Sequence, residues 1–99
     1  MKYVFHSDAL QEYSEAAMYY KKISPELGKA FVDEVETSVR KILSAPETWR
    51  IVEEDIRRFL IRRFPYGIYY TIEDGYILIV AVMHLSRKPG YWRNRIRKK

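Results

Sequence analysis

Arg58, Arg62, Tyr69 and His84 are the side chains of this 99-residue sequence whose types and spacing could do chemistry together. Proton-transfer chemistry needs a base, an acid and, where negative charge develops, fixed positive charge. Arginine supplies only the last, because it stays protonated. Histidine, with a reference pKa near neutrality, can supply the first two. Structural readings compete with each assignment. His84 could hydrogen-bond nearby backbone and organise the bend into Arg87, and Arg58 could form a surface ion pair with Glu73, worth about 0 to 1 kcal/mol. Arg62 beside Tyr69 fits a solvated face as well as a site. Two histidines, no cysteine and no clustered carboxylates give no metal site, and neither a phosphate-cradling glycine loop nor a nucleophile elbow is present, so no cofactor is expected.

These residues lie on a run from Arg57 to Trp92 that reads as three strands and two turns. Asp74-Gly75, between two β-rich stretches, predicts a two-residue type I′ hairpin. That loop sets Ile72 opposite Ile77, Tyr70 opposite Ile79, Tyr69 opposite Val80 and Ile68 opposite Ala81. One face then carries Ile68, Tyr70, Ile72, Ile77, Ile79, Ala81 and Met83. The other carries Tyr69, Thr71, Glu73, Leu78, Val80, Val82 and His84. A turn centred on Pro65-Tyr66 would place Arg62 opposite Tyr69, Ile61 opposite Tyr70 and Phe59 opposite Ile72. It gathers Arg58, Arg62, Tyr69 and His84 on the face away from the helices and sorts the aliphatic residues to the other side.

Upstream, Tyr3 to His6 is a short β-type run, and Ser7-Asp8 with Gln11 predicts a capped helix start. From about Asp8 to Ile23 the apolar positions Leu10, Tyr13, Ala17 and Tyr20 form a helical stripe, with Glu12, Glu15, Lys21 and Lys22 outside it. Ser24-Pro25-Glu26 starts a second helix with the stripe Leu27, Phe31, Val35, Val39 and Ile42, stopped at Ala45-Pro46. The short join makes an antiparallel helical hairpin that needs a sheet behind it. Glu47 to Asp55 reads as an irregular connection pinned by Trp49 and Ile51. Tyr76 to Met83 is apolar throughout, so it is read as a central strand, with the N-terminal strand on its far side. The expectation is one α+β domain over residues 1–99, in the order β-α-α-β-β-β, with a basic C-terminal segment at 91–99.

The net charge of +5 conceals a split: 7 basic against 11 acidic residues in 1–55, and 11 against 2 in 56–99, or −4 followed by +9. The second half is expected to face something anionic, nucleic acid or an acidic partner chain, although a basic tail kept for solubility gives the same count. No signal-length or membrane-length apolar run occurs, and the absence of cysteine suits a reducing compartment, so a cytoplasmic protein is expected.

The helix ending in Tyr19-Tyr20, Leu27-Gly28 and Phe31 opening the next, Arg58 through Phe64-Pro65-Tyr66, Tyr70, and His84-Leu85-Ser86-Arg87 before Tyr91-Trp92 together resemble the RelE/ParE superfamily of type II toxin-antitoxin toxins. The resemblance covers almost the whole chain and is nearer the ParE side, the plasmid-stabilisation type. It implies a growth-arresting protein silenced by a cognate antitoxin in a hetero-oligomer. Its target would be DNA gyrase if ParE-like. If RelE-like, it would be a ribosome-dependent endoribonuclease acting on mRNA. The ribonuclease reading makes His84, Arg62, Arg87 and Tyr91 catalytic, with His84 as acid/base, the arginines on phosphate and Tyr91 stacking or donating a proton. RelE-type ribonucleases also use lysines around the strand after the helices, and here no lysine occurs between Lys41 and Lys88. A member that has lost toxicity and only binds its partner is the third reading. The partner surface is expected to include Arg58, Arg62, Tyr69, Arg87, Trp92 and Arg93.

Overall fold

The computed structural model describes residues 1–87 and Arg95. Its elements follow the expected order: β1 (Lys2–Phe5), α1 (Ser7–Ile23), α2 (Pro25–Ser44), β2 (Ile51–Glu53), β3 (Ile56–Leu60), β4 (Tyr66–Glu73) and β5 (Tyr76–His84). They form one five-stranded sheet in the order β1-β5-β4-β3-β2, with β1 parallel to β5 and the remaining pairs antiparallel. The helical hairpin covers one face. No helix of the described residues is long and apolar enough to cross a membrane. The α+β architecture with an N-terminal strand is as expected, with one addition. Part of the connection read as irregular forms β2, which pairs with β3 through Ile51 and Glu53 across a turn where Glu54 takes a left-handed φ of 52°.

Both helices are capped by side chains. Ser24 Oγ accepts the Leu27 N–H at 3.0 Å, and Pro25 fills the first turn of α2, as its sequence predicts. At α1 the cap is His6, not Ser7: its Nδ1 accepts the Asp8 N–H at 3.0 Å, while Gln11 bonds Glu15 instead of closing a capping box. The α2 stripe is buried as expected at Phe31, Val35, Val39 and Ile42. On α1, Tyr13, Ala17 and Tyr20 do pack against the core, but Leu10 is 51% exposed and the buried residues are Ala9 and Ala16. Small side chains there let α1 lie close to β5. The two helices also approach closely where Gly28 meets Lys21, since a Cβ at Gly28 would stand 2.8 Å from the Lys21 Cα.

The sheet departs from the expected register in two places. Ile72 faces Ile77 and Tyr70 faces Ile79 as predicted, but Tyr69 faces Ala81 and Ile68 faces Val82, because Val80 is an unpaired bulge residue. Alternation slips by one there. Val80 and Ala81 both point to the second face with Tyr69, Met83 and Ile56, while Val82 turns to the helices with Ile68, Tyr70, Ile77 and Ile79. Ala81 and Met83 are therefore on the opposite face from the one predicted, and so are Val82 and His84. The loop is not type I′ either: Gly75 alone is left-handed, at φ 88°, and Asp74 keeps a negative φ.

Between β3 and β4 the turn is longer than two residues. Ile61 N–H bonds Tyr66 O at 3.0 Å, Arg63 adopts φ 71°, and the pairs are Arg57 with Tyr70, Arg58 with Tyr69, Phe59 with Ile68 and Leu60 with Gly67. The slip is four residues, an even number, so Phe59 and Ile61 stay on the helix side although their predicted partners were wrong. Beneath the helices an aromatic cluster forms around Phe31, with ring centroids of Tyr20, Phe64 and Tyr66 at 5.1, 5.1 and 5.3 Å.

Candidate functional site

The predicted four-residue face is divided by these two shifts. Arg58 and Tyr69 are direct cross-strand partners. They meet over Gly67, whose missing side chain leaves room: a Cβ there would lie 3.2 Å from Tyr69 Cε1 and 3.4 Å from Arg58 Cγ. Tyr69 is only 3% exposed, so the free chain presents mainly the Arg58 end of this pair. Arg62 stands exposed in the β3–β4 connection, beyond the end of the strand, and is not opposite Tyr69. Arg58 lies opposite Tyr69 and not Glu73, so no Arg58–Glu73 pairing exists across this ladder.

His84 lies at the end of β5 on the other face, below α1. Its ring meets Tyr66 edge-on at 5.1 Å. Its Nδ1 accepts the Ser86 N–H at 3.1 Å and lies 2.8 Å from Ser86 Oγ. A ring nitrogen that accepts from a backbone N–H carries no proton, so the neutral imidazole holds its proton on Nε2. The segment is fixed further by Leu85 N–H donating to Pro65 O at 2.8 Å and Arg87 N–H to His84 O at 2.9 Å. His84 thus organises the bend into Arg87, one of the roles the sequence allows. Its ring also borders two adjoining clefts. One holds Glu12, Glu15, Tyr19, Tyr66 and Arg87; the other holds Tyr19, Tyr20, Ile23, Pro65 and Tyr66. Burial, and then the neighbouring tyrosines, push the Tyr66 hydroxyl pKa upward, so it stays a neutral donor at physiological pH. Of the residues proposed for ribonuclease chemistry, His84 and Arg87 share a cleft and Arg62 is elsewhere. Tyr91, Trp92 and Arg93 lie outside the described residues. No group of three or more potential metal ligands occurs among the described residues.

A family model described as the ParE toxin of the type II toxin-antitoxin system parDE matches residues 3–89. This chain belongs to the ParE toxin family. A solved structure described as the chromosomal ParDE TA system from P. aeruginosa shares the fold, with a TM-score of 0.76 at 17% identity, covering 86% of this chain and 96% of that one. No curated protein matches the chain.

In this ParE-family chain the residue that sequence reading misjudged most is Glu12. Placed outside the α1 stripe, it is in fact largely covered, and its Oε1 accepts the Val82 N–H at 3.0 Å while both carboxylate oxygens receive Arg95. The available signal was its position between Ala9 and Ala16, three and four residues away on one helical face. A carboxylate flanked by small residues on a covered face is not a solvated one. Arg57 was also missed as a structural group: its guanidinium donates to Glu47 O at 3.1 Å and Trp49 O at 2.7 Å, holding the α2–β2 connection.

Proposed function

We propose that this chain is the toxin of a type II toxin-antitoxin pair, that its target is DNA gyrase, and that a cognate antitoxin silences it. The family match over residues 3–89 carries the toxin reading. The choice of gyrase is supported by the dispersal of the ribonuclease candidates. His84 spends Nδ1 on its own loop, Arg62 lies outside the cleft that His84 shares with Arg87, and no lysine is present between Lys41 and Lys88 to replace them. An acidic antitoxin would cover the Arg58 and Arg62 side of the sheet, where Leu60, 52% exposed, adds an apolar anchor to the charge.

The deciding experiment pairs two assays on purified chain shown to arrest growth. In one, gyrase supercoils relaxed plasmid in its presence. In the other, a defined mRNA is mapped by primer extension with and without translating ribosomes. Inhibited supercoiling with an intact message is the expected result. New 3′ ends that need ribosomes would replace the gyrase reading with the endoribonuclease one, for which the cleft shared by His84 and Arg87 is the specific support. Absence of both effects would overturn both targets, and a chain that bound its antitoxin without arresting growth would be a partner-binding member without toxicity.

A further inference from the structure

Strand β1 accompanies β5 only as far as the Phe5–Ile79 pair, after which His6 N–H reaches Ile79 O at 2.9 Å and the chain turns into α1. Strand β5 runs on to His84. Along that edge Val80 O and Val82 N–H face outward, beyond the end of β1. Buried backbone groups of this kind require partners. Two side chains supply them. Val82 N–H donates to Glu12 Oε1 at 3.0 Å, and Arg95 Nη1 donates to Val80 O at 3.0 Å. The two are bound to each other, with Arg95 Nη1 3.1 Å from Glu12 Oε1 and Nη2 2.9 Å from Glu12 Oε2. Both are largely covered, at 11% and 13% side-chain exposure, whereas Asp8, 3.7 Å from Arg95 Nε, is 63% exposed.

One donor to the carbonyl of residue i and one acceptor from the N–H of residue i+2 is what a single residue of a parallel neighbour offers. We infer that Glu12 and Arg95 together stand in for one residue of a continued β1, and that Glu12 is the positioning residue that fixes Arg95 against the sheet. Arg95 belongs to a stretch in which positions 93, 95, 97, 98 and 99 are all basic. Glu12 therefore sets where that positive charge is anchored, whichever target the toxin attacks. The arrangement has a polarity that an ordinary ion pair lacks. Val82 offers a donor and Val80 an acceptor, so the carboxylate must come from α1 and the guanidinium from the C-terminal segment.

Hydrogen exchange followed by mass spectrometry on the full chain tests this, comparing wild type with Glu12→Gln, Arg95→Gln, their combination, and the exchange of charges Glu12→Arg with Arg95→Glu. Each single variant is expected to speed deuterium uptake in peptides spanning Val80 to Val82 by about tenfold, the double variant no further, since the two groups act as one unit. Exchanging the charges should not restore protection, because Glu12→Arg leaves Val82 N–H without an acceptor and Arg95→Glu leaves Val80 O without a donor. Wild-type uptake in the single variants, additive uptake in the double, or protection restored by the exchanged pair would each overturn the inference. If Glu12→Gln lowers the melting temperature by more than a few degrees, Arg95→Lys serves on the folded chain. It keeps the charge but has no planar fork to span Val80 O and both carboxylate oxygens, and the same uptake increase is expected. Wild-type uptake there would equally overturn the inference.

Discussion

The Tyr70 hydroxyl donates to the Pro46 carbonyl at 2.6 Å, tying the middle of β4 to the chain just beyond α2. Tyr70 is fully buried. Removing the hydroxyl leaves that carbonyl without this donor, so Tyr70→Phe should cost about 1 to 2 kcal/mol, read as a lower denaturant midpoint at unchanged m-value.

The same residue gives an alkaline limit. Burial pushes its pKa up to about 12, with Arg57 pulling weakly the other way. The unfolded phenol titrates near 10. The folded state therefore holds the proton more tightly, so the contribution is complete below pH 10 and is lost as pH rises toward 12. Tyr13, donating to Glu36 at 3.0 Å, is shifted in the same direction, first by burial and then by that hydrogen bond. Thermal melts between pH 9 and 12 should show falling stability, with a shallower fall in Tyr70→Phe.

Gly28→Ala sets helix propensity against sterics. Alanine favours a helix over glycine by about 1 kcal/mol. The added Cβ, however, would meet the Lys21 Cα and Cβ at 2.8 Å, and a backbone atom cannot rotate away. Separation of α1 from α2 should dominate, with a net loss of about 1 to 3 kcal/mol in chemical denaturation. A stabilised variant would mean that the hairpin opens without strain.

Phe31 is wholly buried and touches the rings of Tyr13, Tyr20, Phe64 and Tyr66. Phe31→Ala should cost about 3 to 5 kcal/mol. In a domain of this size that is a large share of the total stability, and the melting transition should drop or lose cooperativity.

For activity, His84→Ala should leave growth arrest within about twofold of wild type while lowering stability by about 1 kcal/mol through the lost Ser86 bond and Tyr66 contact. Abolished arrest in a chain that still melts cooperatively would return His84 to the chemistry. Arg58→Glu with Arg62→Glu should slow antitoxin association by about tenfold or more at low salt, an effect that shrinks as salt is added. Tyr69→Ala is a poor probe of that surface, because its ring is covered and truncation would disturb the sheet first.

The helices, the α2 cap and the order of the expected strands were legible because each rests on local chemistry: Ser24-Pro25 opens α2, and the spacing from Leu27 to Ile42 defines its buried side. What failed depended on single residues with no local marker. Nothing in Ile79-Val80-Ala81-Val82 announces which valine is unpaired, since every member is apolar and suits either face. The β3–β4 turn slipped by four because Arg63, not a glycine or asparagine, takes the left-handed conformation. Leu10 reads as core by type, yet Ala9 is the residue that fits against β5. Tyr69 remained beside an arginine only because the slip exchanged one arginine for another.

The Val80 side chain carries no reactive group, yet the bulge at this residue sets the side taken by everything that follows it on the strand. A relative with the same number of residues but no bulge would present the same ending inside out, its histidine among the arginines and its methionine against the helices. Comparing such chains letter by letter would pair residues that never occupy the same side. Whether this one residue bulges or pairs decides which of two toxins alike in sequence carries an imidazole beneath α1.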